Sequence, residues 1–421
     1  MTVVSSITDS GIRVVTEVMP SMRSVTFGLW FGVGSRDESD DEYGCSHFLE
    51  HLLFKGTQRR DAKQIAEELD AIGGESNAFT SREMTCFYAR VLDQEVPTAV
   101  DVLADMMRNA TNSPDDVEAE RDVVLEEINI YLDTPEDLVH SDLSDVVLAG
   151  HPLGRETLGT EESVNDLTRD RIDDYFRRWY RPSNLVVAAA GNLSHEHILE
   201  LIDEQLGDLG RPGDHTRPRT APERYGNGQV HVRARPTEQA HVAIGSPGLD
   251  LSDDDKVAFG LLTNILGGGM SSRLFQAIRE ERGLAYSTYA YGISYTDGGL
   301  FGAYAGTTPA KLEEVCGVMV DELDRAVDDL EEDEVDRAKA AARGGLVLAL
   351  EDTGSRMTRL GKRLITGRPL RTIDEELARL EAVDLDQVRR VAKRVLGHPR
   401  SICVVGPFDP GQSDRFRRFV A

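Results

Sequence analysis

Two periodicities alternate along the chain. IRVVTEV (12–18) and SVTFGLWFGVG (24–34) are apolar or alternating runs rich in β-branched and aromatic residues, the pattern of buried strands. In DAKQIAEELDAIGG (61–74) Ile65, Leu69 and Ile72 recur on one helix face, and Gly73-Gly74 supply the stop. NAFTSREMTCFYARVL (77–92) returns to strand character, whereas PTAVDVLADMMRNA (97–110) and SPDDVEAERDVVLEEINIYL (113–132) read as helices. NLVVAAAGNL (184–193) then reads as a buried strand that closes the first half.

The second half repeats this order. SRLFQAIREERG answers the 61–74 helix, STYAYGISYTDGGLFGAYAG the strand pair, and PAKLEEVCGVMVDELDRA the helix at 97–110. EEDEVDRAKAAARGGL then matches DDVEAERDVVLEEI, and SICVVGPF matches the closing strand. Aligning Gly73 with Gly283 gives an offset of about 210 residues, half of the 421. The expected fold is therefore α+β, two tandem homologous α/β domains in which a mixed sheet is packed with helices. The Pro-, Gly- and charge-rich stretch around 209–228 marks a linker between an N-terminal domain at 1–208 and a C-terminal one at 229–421.

Composition narrows the class. A formal charge of -27 without a concentrated basic patch argues against nucleic acid or an anionic membrane as partner, and weakly favours cationic peptides. No apolar run is long enough for a membrane span, and the N-terminus has neither a secretory nor a transit pattern. Cys45, Cys86, Cys316 and Cys403 lie scattered in apolar surroundings, as buried free thiols of a cytoplasmic protein would.

The candidate chemistry lies in GCSHFLEHLLFKGT (44–57). His47 and His51 stand four apart, so they share a helix face and can converge on one ion, with Glu50 beside the second. A catalytic zinc takes three protein ligands, so a third must come from elsewhere. On the helix at 117–131, Glu118, Asp122, Glu126, Asn129 and Asp133 form the polar face. Glu120 and Glu127 instead fall with Val117, Val124, Ile128 and Tyr131. A carboxylate on a core-facing stripe needs a partner or a metal, so one of them reads as a ligand and the other as its support. In the second copy His47, Glu50 and His51 become Val257, Gly260 and Leu261, while Glu120 and Glu127 become Ala338 and Gly345. Their joint loss marks them as one site. Glu50 is then the expected general base of a metal-assisted hydrolysis, most simply of a peptide bond.

The order His-x-x-Glu-His, with Glu127 lying 76 residues beyond His51, resembles the inverzincin metallopeptidases of the pitrilysin/insulinase family, which includes the mitochondrial processing peptidases. GVGSRDE, GGESNAFTSRE, ERDVVLEEI, YRPSNLVVAAAGN and LGGGMSSRLFQAIREERGLAYS extend the resemblance over nearly the whole chain. It implies one zinc per chain held by His47, His51 and Glu127, Glu50 as base and Glu120 as a supporting catalytic acid. It also implies a clamp-like pair of domains, with Arg279 and Tyr286 of the inactive domain contacting substrate and Asn77-Ala78-Phe79-Thr80 pairing an extended peptide by strand addition. By pattern alone Arg279 reads as an exposed helix residue and Tyr286 as a strand-core residue. Gly267 to Gly269 match a flexible loop of the family, or form a plain helix-to-helix turn. A two-unit chain carrying both residue sets implies a homodimer. The competing readings are a catalytically silent scaffold or partner subunit of the same fold and a peptide-binding clamp with structural zinc.

Overall fold

A computed structural model describes residues 3–209, 219–226 and 228–420. The first sheet has six strands, β1 (Val3–Ile7), β2 (Arg13–Val18), β3 (Ser24–Phe31), β4 (Glu75–Thr80), β5 (Thr85–Leu92) and β6 (Leu185–Gly191), in the order β1-β2-β6-β3-β5-β4. The second has five, β7 (Val230–Ala234), β8 (Ala240–Pro247), β9 (Ala285–Ser294), β10 (Gly299–Thr307) and β11 (Ser401–Gly406), in the order β7-β11-β8-β10-β9. With β1 set aside the two orders correspond strand for strand. In each, the first pair is parallel (β2 with β6, β7 with β11) and every later pair is antiparallel. Both sheets are thus mixed, and the architecture is α+β.

The chain divides into two compact units, and they are not the contiguous halves 1–208 and 229–421 that the repeat alone suggests. Among the described residues, one unit comprises 3–128, 156–209 and 347–370, and the other 129–155, 219–226, 228–346 and 371–420. Each sheet is therefore covered on one face by a helix from the other half of the sequence. Residues 210–218 and 227 of the expected linker lie outside the described residues.

In the first unit the incoming helix is Thr353–Ile365. Met357 and Leu360 bury themselves against Trp30, Val15, Val186 and Ala188, with the Trp30 indole N–H 3.3 Å from the Met357 sulfur. Gly361 allows the close approach, because a Cβ there would lie 2.3 Å from the Trp30 ring. At the other end of the contact, buried Glu17 accepts from both Arg356 and Arg359. Burying a carboxyl group is costly without such hydrogen-bond partners.

In the second unit the corresponding helix is Pro135–Val147, whose Leu138, Val139, Leu143 and Val147 pack on Ala243, Cys403 and Val405. His140 bonds the hydroxyls of Tyr291 (2.8 Å) and Tyr289 (2.7 Å), and Arg233 Nε donates to Asp142 at 2.8 Å. These polar contacts fix where an otherwise apolar face docks. Periodicity records that a helix face is apolar but not which surface it meets.

Candidate metal centre

The first histidine-bearing element is the helix Cys45–Leu52. Buried Glu38 caps its start, accepting from the N–H groups of Gly44 (2.9 Å) and Ser46 (2.7 Å) that have no partner within the helix. Burial pushes the Glu38 carboxyl up to about 7, while the bonds from Ser46 and Gly44 pull it the other way. Phe48, Leu49 and Leu52 anchor the helix in the core. His47, Glu50 and His51 share the remaining side.

The second element is the helix Pro114–Leu132. Val117, Val124 and Ile128 are buried as expected, and the predicted polar face, Glu118, Asp122, Glu126 and Asn129, is exposed. The two glutamates of the apolar stripe part company. Glu120 is buried, whereas 43% of the Glu127 side chain remains open to solvent. Val123 and Ile130 are apolar residues that the helix leaves exposed.

The two helices bring three ligand atoms together. Glu127 Oε2 lies 3.5 Å from His47 Nε2 and 3.5 Å from His51 Nε2, and the three candidate atoms all fall within 4.8 Å of one another. His51 Nδ1 donates to Glu120 Oε1 at 3.1 Å, which turns its Nε2 lone pair toward Glu127. Burial, with His51 adding to it and Glu156 opposing it, lowers the His47 imidazole to about 4, so at neutral pH it is an uncharged donor. Two imidazole nitrogens and a carboxylate oxygen facing one another bring three electron-pair donors together, and a cation fits that set. Three nitrogen and oxygen donors match zinc with an open position.

Glu50 points from the same helix toward the strand β4, where the Thr80 hydroxyl donates to its Oε2 at 2.6 Å. Burial raises the Glu50 carboxyl, opposed by the Thr80 bond and by His51, with Glu127 adding to the rise. A carboxylate whose pKa is raised is a stronger proton acceptor than an unperturbed one. Lys55 was missed by sequence reasoning, although it stands one further turn beyond His51. Its ammonium pairs with Glu120 Oε2.

Strand β4 is the outer strand of its sheet, so its free edge can accept another strand. Side chains alternate across it. Thr80 faces the histidine helix, while Phe79 and Glu75 face a cavity of about 570 Å³ that Tyr88, Arg90, Asp352 and Met357 also line. The Ala78 N–H donates to Asn77 Oδ1 at 2.8 Å.

The structure brings Arg279 and Tyr286 together in the second unit. The Arg279 guanidinium lies 4.4 Å from the centre of the Tyr286 ring and 4.8 Å from that of Phe275, and its Nη1 donates to the Tyr286 carbonyl at 3.1 Å. Arg279 is carried by a π-helical turn, Phe275–Glu280. Tyr286 is 82% exposed, which corrects its pattern-based reading as a strand-core residue. It sits on β9, the outer strand, where no further strand covers it among the described residues. Gly267 ends the helix Lys256–Gly267 against β9, and a Cβ there would lie 2.0 Å from the Ala290 nitrogen; Gly269 has open space.

Residues 13–161 match the family described as Insulinase (Peptidase family M16), and residues 166–342 match the Peptidase M16 inactive domain. A Streptomyces coelicolor protein named as an uncharacterized zinc protease is 46% identical over 98% of this chain and 91% of its own length. A Bacillus subtilis protein of the same description is 39% identical over 94% of this chain and 97% of its own. The chain belongs to the peptidase M16, or insulinase, family. Two crystal structures share the fold at a TM-score of 0.88. One is a Pseudomonas fluorescens protein described as a peptidase M16 inactive domain (20% identity, 97% of this chain and 98% of that one), the other a Helicobacter pylori protease (21%, 96% and 99%). Among the described residues no helix is long and apolar enough to cross a membrane.

Proposed function

We propose that this protein is a zinc-dependent endopeptidase or oligopeptidase that hydrolyses extended peptides, with one zinc per chain held by His47, His51 and Glu127. The observation that carries this reading is the convergence of those three ligand atoms within 4.8 Å beside a Glu50 already hydrogen-bonded to Thr80. When bound, zinc supplies Lewis acidity to the scissile carbonyl and lowers the pKa of water at its open position. Glu50 takes the proton from the attacking water and returns it to the leaving amine. Glu120 holds the His51 ring in place, and its bond to Nδ1 keeps Nε2 free as a donor.

In this reading the peptide adds as a strand along β4 at Asn77-Ala78-Phe79-Thr80, and its alternate side chains face the Phe79 cavity. Arg279 and Tyr286 are assigned to the substrate as well, supported by the exposure of the tyrosine and the stacking of the guanidinium on it. The functional assembly is a homodimer, because one chain carries both residue sets. Four buried cysteines without a disulfide support a reducing, cytoplasmic setting.

The test is metal analysis of the purified protein together with cleavage of a quenched-fluorescent peptide library. The reading requires close to one zinc per chain and cleavage that a chelator abolishes and zinc restores. Stoichiometric zinc without any cleavage would instead support a peptide-binding or partner-subunit role.

A further inference from the structure

Glu120 uses both of its oxygens. Oε1 accepts from His51 Nδ1 at 3.1 Å, and Oε2 is paired with the Lys55 ammonium. The Glu120 side chain is 4% exposed, whereas 37% of the Lys55 side chain reaches solvent. The geometry follows from local backbone structure. After the histidine helix ends at Leu52, the chain continues in tight turns, with Phe54 N–H bonded to the His51 carbonyl at 3.1 Å and Lys55 N–H to the Leu52 carbonyl at 2.9 Å. Lys55 therefore stays one turn beyond His51 and on the same side, and both reach the same glutamate from one element.

We propose that Lys55 is a positioning residue of the metal site, acting through Glu120; this rests on the zinc reading given above. A buried carboxyl bonded only to one imidazole would have a second oxygen without a partner, which is costly in a desolvated place. Lys55 fills that position and fixes the carboxylate plane, which in turn fixes the plane of the His51 ring. Among the described contacts of Glu50, Glu120 and Glu127, the one made with a lysine is that of Glu120 with Lys55.

The test uses the full-length protein with Lys55→Met, Lys55→Arg, Glu120→Gln and the Lys55→Met/Glu120→Gln double variant. Zinc affinity is measured by competition with a chromophoric chelator, and ligand geometry by the visible spectrum after cobalt substitution. Lys55→Met should weaken zinc binding about 10-fold or more, in the range seen when outer partners of a ligand are removed, and should shift the cobalt bands. Lys55→Arg should recover most of both. Because Lys55 acts through Glu120, the double variant should bind zinc no more weakly than Glu120→Gln alone. Unchanged affinity and spectrum in a Lys55→Met protein that melts like the parent would overturn the proposal while leaving the zinc site standing. Fully additive losses in the double variant would overturn the route through Glu120. A parent protein that binds no zinc would remove the reading beneath both.

Discussion

The Thr80 hydroxyl donates a 2.6 Å hydrogen bond to Glu50 Oε2, joining the outer strand of the first sheet to the proposed base. Strand alternation makes this possible, since Thr80 faces the histidine helix only because Phe79 faces the cavity. Thr80→Val keeps the shape and removes the donor. It should lower kcat about 10-fold, the scale of one hydrogen bond to a charged group, with a smaller change in KM. Thr80→Ser should stay near the parent. Steady-state kinetics on one peptide would show this, and an equal loss in both variants would argue for packing rather than the bond.

The ligand assignment separates two neighbouring glutamates. Glu127 faces His47 and His51, whereas Glu126 is exposed on the polar face. Glu127→Gln should weaken zinc by at least about 100-fold, since it replaces an anionic ligand with a neutral one, and Glu126→Gln should leave it unchanged. Equal effects in chelator competition would overturn the helix-face argument.

Glu38 gives a pH prediction. Burial raises its folded-state carboxyl to about 7, above the unfolded value, so the native state keeps a proton that the unfolded chain releases. Its contribution to stability is therefore full below the unfolded value and is lost as the pH rises through about 7. Glu38→Gln cannot release a proton and keeps one acceptor at the helix start. The unfolding free energy of the parent relative to this variant should fall between pH 5 and pH 8 by on the order of a few kcal/mol, read from denaturation curves. Parallel curves across that window would contradict the assignment.

Gly361 tests the packing of the Thr353–Ile365 helix. A leucine there would push its side chain into the Trp30 ring, so the helix must shift. Gly361→Leu should destabilise the protein by about 1–3 kcal/mol, the range for overpacking in a core. A denaturation midpoint equal to that of the parent would show that the helix docks more loosely than the contact implies.

These residues also show what the sequence could carry. His47, His51 and Glu120 were legible because helical spacing is local, and the loss of the whole set in the second copy tied them together. The same spacing put Glu127 on that stripe but did not choose between it and Glu120 as ligand, a choice that came from the family resemblance; Glu127 is far more exposed than the stripe predicts. Lys55 could have been found as the next position in that spacing, but a lysine near a helix end has so many solvated uses that spacing alone does not single it out. The helix exchange between the sequence halves was not legible. Apolar faces on Pro135–Val147 and Thr353–Ile365 say that each is covered, and only the three-dimensional partners, such as His140 with Tyr289 or Met357 with Trp30, say by what. Tyr286 failed for a related reason, because an aromatic residue in a strand has the same pattern whether its face is buried or open.

The central claim is that Glu50 moves the proton while His47, His51 and Glu127 hold the zinc. Glu50→Gln removes the base and leaves the three ligand atoms in place. The most direct measurement is zinc content and peptide turnover on one preparation of that variant. The account predicts zinc close to the parent level with turnover reduced by at least about 100-fold, the lower end of what general base catalysis contributes. Undiminished turnover in a zinc-loaded Glu50→Gln protein would contradict it.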